Sequence, residues 1–186
     1  MRLFRTRRFR LPLLAGGLVV ALAVASFGCK REPKTVKVVA TEGEAPSLAS
    51  VVRTSATSQE PQLLNGFYGI ENNSWRWTAK QFSVLLRTPF GAAQSGARLN
   101  LAFTIPQVAI DHAKTLTLSA SVEGTPLPPE TYSKSGQYEY KPDVSAAALN
   151  KEAVRIQFFL DKSIPPSGAD RRELGIIVAS IGLEPK

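Results

Sequence analysis

The chain has one cysteine, one histidine and, beyond its initiator, no methionine. A single thiol cannot close an intramolecular disulfide, so the folded part must stand on its apolar core alone. One histidine, His112, excludes a multi-histidine metal site and leaves any Ser-His-Asp triad resting on one residue in an expected loop. No Gly-rich phosphate cradle of the P-loop or dinucleotide type is present, and no cofactor is expected. Dense Lys/Arg blocks interleaved with aromatics, which phosphate-tracking surfaces need, are also missing. The net charge of +8 looks like a counter-argument until it is located. Five of the 23 basic residues fall in the first ten positions, which leaves 18 basic against 15 acidic, or +3, for residues 30–186. Nucleic acid is therefore not an expected partner.

What the chain does have begins with a basic head, MRLFRTRRFR, an apolar run, LPLLAGGLVVALAVASF, then Gly28 and Cys29. Arginines without an acid before an apolar run form an export signal, because the inner face of a bacterial membrane retains the cations. A small residue and a cysteine after such a run resemble the lipobox of bacterial lipoproteins. The resemblance implies cleavage before Cys29 and a lipid on its sulfur, with residues 1–29 as signal helix and lipidation site and the membrane as a partner. It places the protein in the bacterial cell envelope. The lipobox pattern prefers Leu and then a small residue at the positions occupied here by Ser26 and Phe27. An uncleaved anchor over Leu11–Phe27 is the alternative, near the minimum spanning length and weakened as a helix by Pro12, Gly16 and Gly17; ordinary secretion is the third reading. Lys30, where lipoproteins kept at the inner membrane often carry Asp, favours the outer membrane.

Residues 30–62 are small, polar and without sustained period, and read as a flexible tether with a reach of roughly 30 Å. Its basic residues Lys30, Arg31, Lys34 and Lys37 suit a solvated linker or anionic headgroups. From residue 63 to 186 short β-rich runs alternate with Gly, Pro, Asn and Ser. Strands are expected at Gly66–Ile70, Ser74–Lys80, Phe82–Arg87, Arg98–Ile105, Thr115–Glu123, Tyr132–Lys141, Val154–Asp161 and Leu174–Leu183. In LTLSASV, Leu116, Leu118, Ala120 and Val122 fall on one face and Thr117, Ser119 and Ser121 on the other. Only Val144–Asn150 reads as a helix, with Asp143 as N-cap. The expected fold is all-β, an antiparallel jelly-roll-like β-sandwich of about eight strands.

The most distinctive run is GFYGIENNSWRWTAK. Trp75 and Trp77, two apart, share one face of a strand, and Arg76 and Thr78 share the other. Two readings compete. Exposed indoles beside Tyr68, Glu71, Asn72, Asn73 and Arg76 would suit a sugar, with ring faces on the aromatics and hydroxyls on the polar groups. Buried indoles would instead fill the core of a small domain. A second run, GADRRELGIIVASIGLEP, is a turn followed by a nearly continuous apolar strand, expected to be central or buried on both faces. Asp170 and Arg172 stand before it as loop ties or ligand contacts. Glu71 and Asp170 are also the carboxylates to consider for glycoside hydrolysis, which needs two flanking a cleft.

Gly66–Thr78 together with Asp170, Arg172, Leu174, Gly175, Ile176, Val178, Ile181 and Leu183 resembles small β-sandwich modules that accompany bacterial membrane glycosyltransferases and cell-surface polysaccharide proteins. In those modules an aromatic and acidic turn leads to a W-x-W-like strand, and a D-x-R-x-L-G-I-x-V-x-x-I-x-L strand closes the domain. The resemblance implies a jelly-roll fold and a link to glycans, and brings no catalytic residues with it. The expected protein is an envelope lipoprotein whose non-catalytic β-sandwich binds a glycan or another envelope component. A structural module of an envelope protein complex and a carboxylate-based glycan hydrolase are the alternatives.

Overall fold

A computed structural model describes residues 47–186. The lipobox-like segment with Cys29, and residues 30–46 of the expected tether, lie outside the described residues. Eleven strands follow: β1 (Val51–Arg53), β2 (Leu63–Glu71), β3 (Trp75–Arg87), β4 (Ala97–Ile105), β5 (Leu116–Val122), β6 (Thr125–Pro126), β7 (Glu130–Tyr132), β8 (Gly136–Tyr140), β9 (Asp143–Val144), β10 (Ala153–Leu160) and β11 (Ile177–Pro185). Two short helices, α1 (Ala92–Ser95) and α2 (Gln107–Ala113), and two 3-10 turns (Thr57–Gln62 and Ala146–Leu149) complete the described elements. None of the described helices is long and apolar enough to cross a membrane.

The protein is all-β and antiparallel, a large curled sheet of the sandwich class with strand order β6-β5-β10-β3-β11-β4-β8. The curl is made by β3, whose thirteen residues serve both halves: Gln81–Arg87 pair with β10, and Arg76 and Trp77 pair with β11. Inward residues of both halves form one core, with Leu99, Leu101 and Phe103 from β4, Leu118 and Val122 from β5, and Val154, Ile156 and Phe158 from β10. Strict alternation on these strands follows from their period of two: the residues between face outward and, Phe159 excepted, are polar or small. Phe82 stacks on Phe158 at 4.7 Å, and Phe67 meets Phe82 edge-on at 5.4 Å. Tyr140 is fully buried and donates its hydroxyl to Pro128 O at 2.6 Å; burial pushes its phenol up to about 12.

The structure revises three expectations. Ser74–Lys80 and Phe82–Arg87 are one strand, and Tyr132–Lys141 is split into β7 and β8. Val144–Asn150 is not an α-helix: Val144 pairs with Ala97 in β9, and only Ala146–Leu149 turn, as a 3-10 helix after Ser145. Leu99 N–H bonds to Pro142 O, which draws this segment onto β4, and Asp143 pairs with Arg98 and Lys186 instead of capping. The third revision concerns residues 49–62, which are built into the sheet and are no tether. Val51–Arg53 pair with Ser180–Gly182 of β11. Gln62, 4% exposed, acts as a substitute peptide: its Oε1 accepts from Ala49 N, and its Nε2 donates to Ala49 O and Leu85 O at 2.9 and 2.7 Å. Thr54, also buried, donates its hydroxyl to Val178 O at 2.6 Å.

Candidate functional site

The β2–β3 hairpin turns at Asn72 and Asn73, both with positive φ (49° and 52°), a conformation that Asn tolerates better than most residues. It places the residues singled out in the sequence on two sides of β3. Trp75 and Trp77 point outward and are half-buried, while Arg76 and Thr78 point inward and are buried. Neither indole fills the core, and neither stands free as a platform. Trp75 Nε1 is covered and has no hydrogen-bond partner among the described residues. Trp77 lies beside Ile177, which in turn lies opposite Thr104.

Arg76 is turned inward, and the fold takes up its Nε and Nη1. Nε donates to Thr54 O at 2.8 Å, Nη1 donates to Tyr68 O at 3.1 Å, and Nη1 pairs with Glu60 at 3.1 Å. Desolvating a guanidinium is tolerable only when its charge and its hydrogens are matched in this way. Thr78 likewise serves the backbone: its hydroxyl bridges the N–H and C=O of Ile176 at 3.2 and 3.3 Å.

Tyr68, Glu71, Asp170 and Arg172 come together. The loop from β10 to β11 folds back as a small hairpin, held by Ile164 against Leu174 and by Ser167 against Asp170. Asp170 Oδ1 accepts from the Arg172 backbone N–H at 2.9 Å, and Asp170 Oδ2 accepts from Arg172 Nη2 at 2.8 Å. Arg172 Nη1 donates to Glu71 at 2.8 Å, and its guanidinium lies over the Tyr68 ring at 5.3 Å. Tyr68 donates its hydroxyl to Glu173 O at 2.8 Å. The cluster thus fastens the loop to the β2–β3 hairpin.

Its electrostatics do not suit hydrolysis. The Arg172 side chain, then its backbone N–H, hold the Asp170 carboxyl down at about 2, whereas a glycosidase acid needs a raised value to keep its proton. The guanidinium that joins Glu71 to Asp170 also occupies the space between the two carboxylates where a glycosidic oxygen would sit. His112 is exposed near the end of α2. No group of three or more metal-ligating side chains occurs among the described residues.

A different surface, missed in the sequence, gathers groups that are free to act. The outward faces of β2, β3, β10, β5 and β6 form a trough of about 400 Å³, lined by Asn65, Gln81, Ser83, Ser119, Ser121 and Gln157, with Phe159 and Pro126. Register aligns them in two rows across the strands. Gln81, Phe159 and Ser119 make one row; Ser83, Gln157, Ser121 and Pro126 make the other, with Asn65 beside Ser83. Ser83 is 4% exposed at the floor and donates to Asn65 Oδ1 at 2.6 Å. Gln81, Ser121 and Gln157 make no side-chain hydrogen bond to another described residue, and Phe159 is 40% exposed. The signal was present in the sequence as the outward positions of VRIQFFL and LTLSASV, which carry guanidinium, amide, phenyl and hydroxyl groups. It was hidden because nothing local says which outward faces adjoin.

A structural module that docks on a partner protein is expected to show an exposed apolar patch. Exposed large apolar side chains among the described residues are Val51, Leu64, Phe90, Val108 and Phe159, on β1, β2, the turn before α1, α2 and β10. The five fall on five different elements.

No family model matches the chain, and no curated protein matches its sequence. Solved structures with similar backbones include the CBM36-1 domain of a multidomain xylanase from the hindgut metagenome of Trinervitermes trinervoides, at 14% identity and a TM-score of 0.39, over 71% of this chain and 94% of that one. A GH115 4-O-methyl-alpha-glucuronidase, BtGH115A, matches at 8% identity and 0.43, over 75% of this chain and 18% of that one. The CBM51-2 and INT domains of Clostridium perfringens ZmpB, in complex with GlcNAc, match at 11% and 0.36, over 75% and 28%. Likenesses this distant assign neither a family nor a ligand.

Proposed function

We propose that this protein is a non-catalytic glycan-binding module of the bacterial cell envelope, held at a membrane by a lipid on Cys29. The observation that carries the glycan reading is the trough on β2, β3, β10, β5 and β6, a hydrogen-bonding surface of amides and hydroxyls beside an exposed phenyl ring. Sugars present hydroxyls that both donate and accept and ring faces that are apolar. Amides and hydroxyls answer the first, and Phe159 the second. A carboxylate-based hydrolase is not proposed, since Asp170 and Glu71 are both tied to Arg172.

The reading is tested with the full chain in mild detergent, by affinity electrophoresis and calorimetry against a panel of envelope polysaccharides. Saturable binding is expected, weakened at least tenfold by joint Gln157→Ala and Phe159→Ala substitution without a change in melting temperature. Equal binding by that variant, or none by the native protein, rejects it. Intact mass of the envelope-extracted protein checks the anchor: the expected species begins at Cys29 with added acyl chains, and a free thiol there removes the lipid from the proposal.

A further inference from the structure

The trough has a property that glycan binding in general does not require: its lining contains no charged side chain. Outward positions of an exposed sheet usually carry Lys, Glu or Arg, for solubility and to discourage edge association. Here the eight residues whose outward side chains line the trough are two Gln, one Asn, three Ser, one Phe and one Pro. The nearest charges stand at the margins. Lys80 Nζ lies 5.3 Å over the Phe159 ring. Glu123, beyond Gln157, accepts the Arg155 backbone N–H at 2.7 Å and pairs with Lys151; those contacts, the backbone bond first, hold its carboxyl below the ordinary range. Arg155 sits one row beyond Gln157 with its side chain outside the trough.

From this we infer that the trough selects an uncharged, extended glycan chain lying across the strands. The inference rests on the glycan-binding reading of the same trough and adds its ligand class. Two physical arguments carry it. A carboxylate, sulfate or phosphate laid on this floor would lose water and find no cation in the lining, with Lys80 and Arg155 only at its margins, a desolvation that neutral hydroxyl groups do not suffer to the same degree. The shape supplies the second: five strands at about 4.8 Å spacing give a length of roughly 19 Å, whereas two rows along the strands give only about 7 Å. A linear chain of several sugar rings fits the long direction, with one ring on Phe159. Ser83, buried at the floor, and Asn65 above it are already bonded to each other and keep the floor in one arrangement, so little ordering remains to be done on binding.

The test uses linear glucans, mannans and galactans and the C6-oxidised form of each, in which a carboxylate replaces the primary alcohol on the same backbone. Titration of the full chain in detergent is expected to give at least tenfold tighter binding of one neutral polymer than of its oxidised counterpart. Gln157→Lys, a change at an exposed position, is expected to narrow or reverse that preference. Equal or tighter binding of the oxidised form by the native protein overturns the uncharged class and leaves glycan binding standing. Binding of no polymer, neutral or oxidised, overturns both.

Discussion

Arg76 shows how a residue type that suggests a ligand contact is consumed by the fold. Its guanidinium joins Thr54 O, Tyr68 O and Glu60, on three separate segments. Two of those partners are backbone carbonyls in a covered site, and the third is a half-exposed carboxylate, so the carbonyl bonds dominate the energetics. Arg76→Leu orphans both carbonyls and is expected to cost about 3 kcal/mol. Glu60→Gln removes only the exposed pair and is expected to cost less than about 1 kcal/mol. Urea midpoints of the two variants decide the matter: similar losses would mean that the ion pair, and not the carbonyl bonds, holds the segment.

At the scale of elements, close approach of β2 to β3 depends on Gly66. Its φ is +72°, and an added Cβ would lie 2.0 Å from Gln81 O, a backbone atom that cannot step aside. Gly66→Ala is expected to destabilise by more than about 4 kcal/mol or to prevent folding. Gly69→Ala, three residues on in open space, should stay within about 1 kcal/mol. Thermal unfolding of the pair checks this, and equal melting temperatures would refute it. What the sequence made legible follows the same division. Strands β4, β5 and β10 bury every second residue and could be read from period alone, and β11 could be read as a nearly continuous apolar run. The segment 49–62 could not, since it sends only Val52 into the core and is otherwise attached by a three-residue strand and the polar groups of Gln62 and Thr54, which look the same in a linker. Tyr68, Glu71, Asp170 and Arg172 were each visible as candidates, but their union across 101 residues is tertiary. The Trp pair was legible as a shared face and illegible as to which side that face took: the inward side went to Arg76 and Thr78, whose hydrogen bonds stitch the neighbouring strands.

For the whole molecule, the decisive strand is β11. It pairs with β4 along most of its length, with β1 on its other side, and with the start of β3, so the curled sheet closes through it. A chain ending at Ile176 retains most of the core residues and loses the strand that joins the two halves. It is expected to show no cooperative thermal transition by circular dichroism and rapid amide exchange throughout. A sharp transition in that fragment would show that one half folds alone. The strand in question is also the domain's last to be synthesised, and its partners β1, β3 and β4 wait for it across up to about 130 positions of sequence. Until β11 has been made, β1, β3 and β4 keep an unpaired backbone edge. The order of synthesis therefore leaves this domain open along one seam until its final strand is complete.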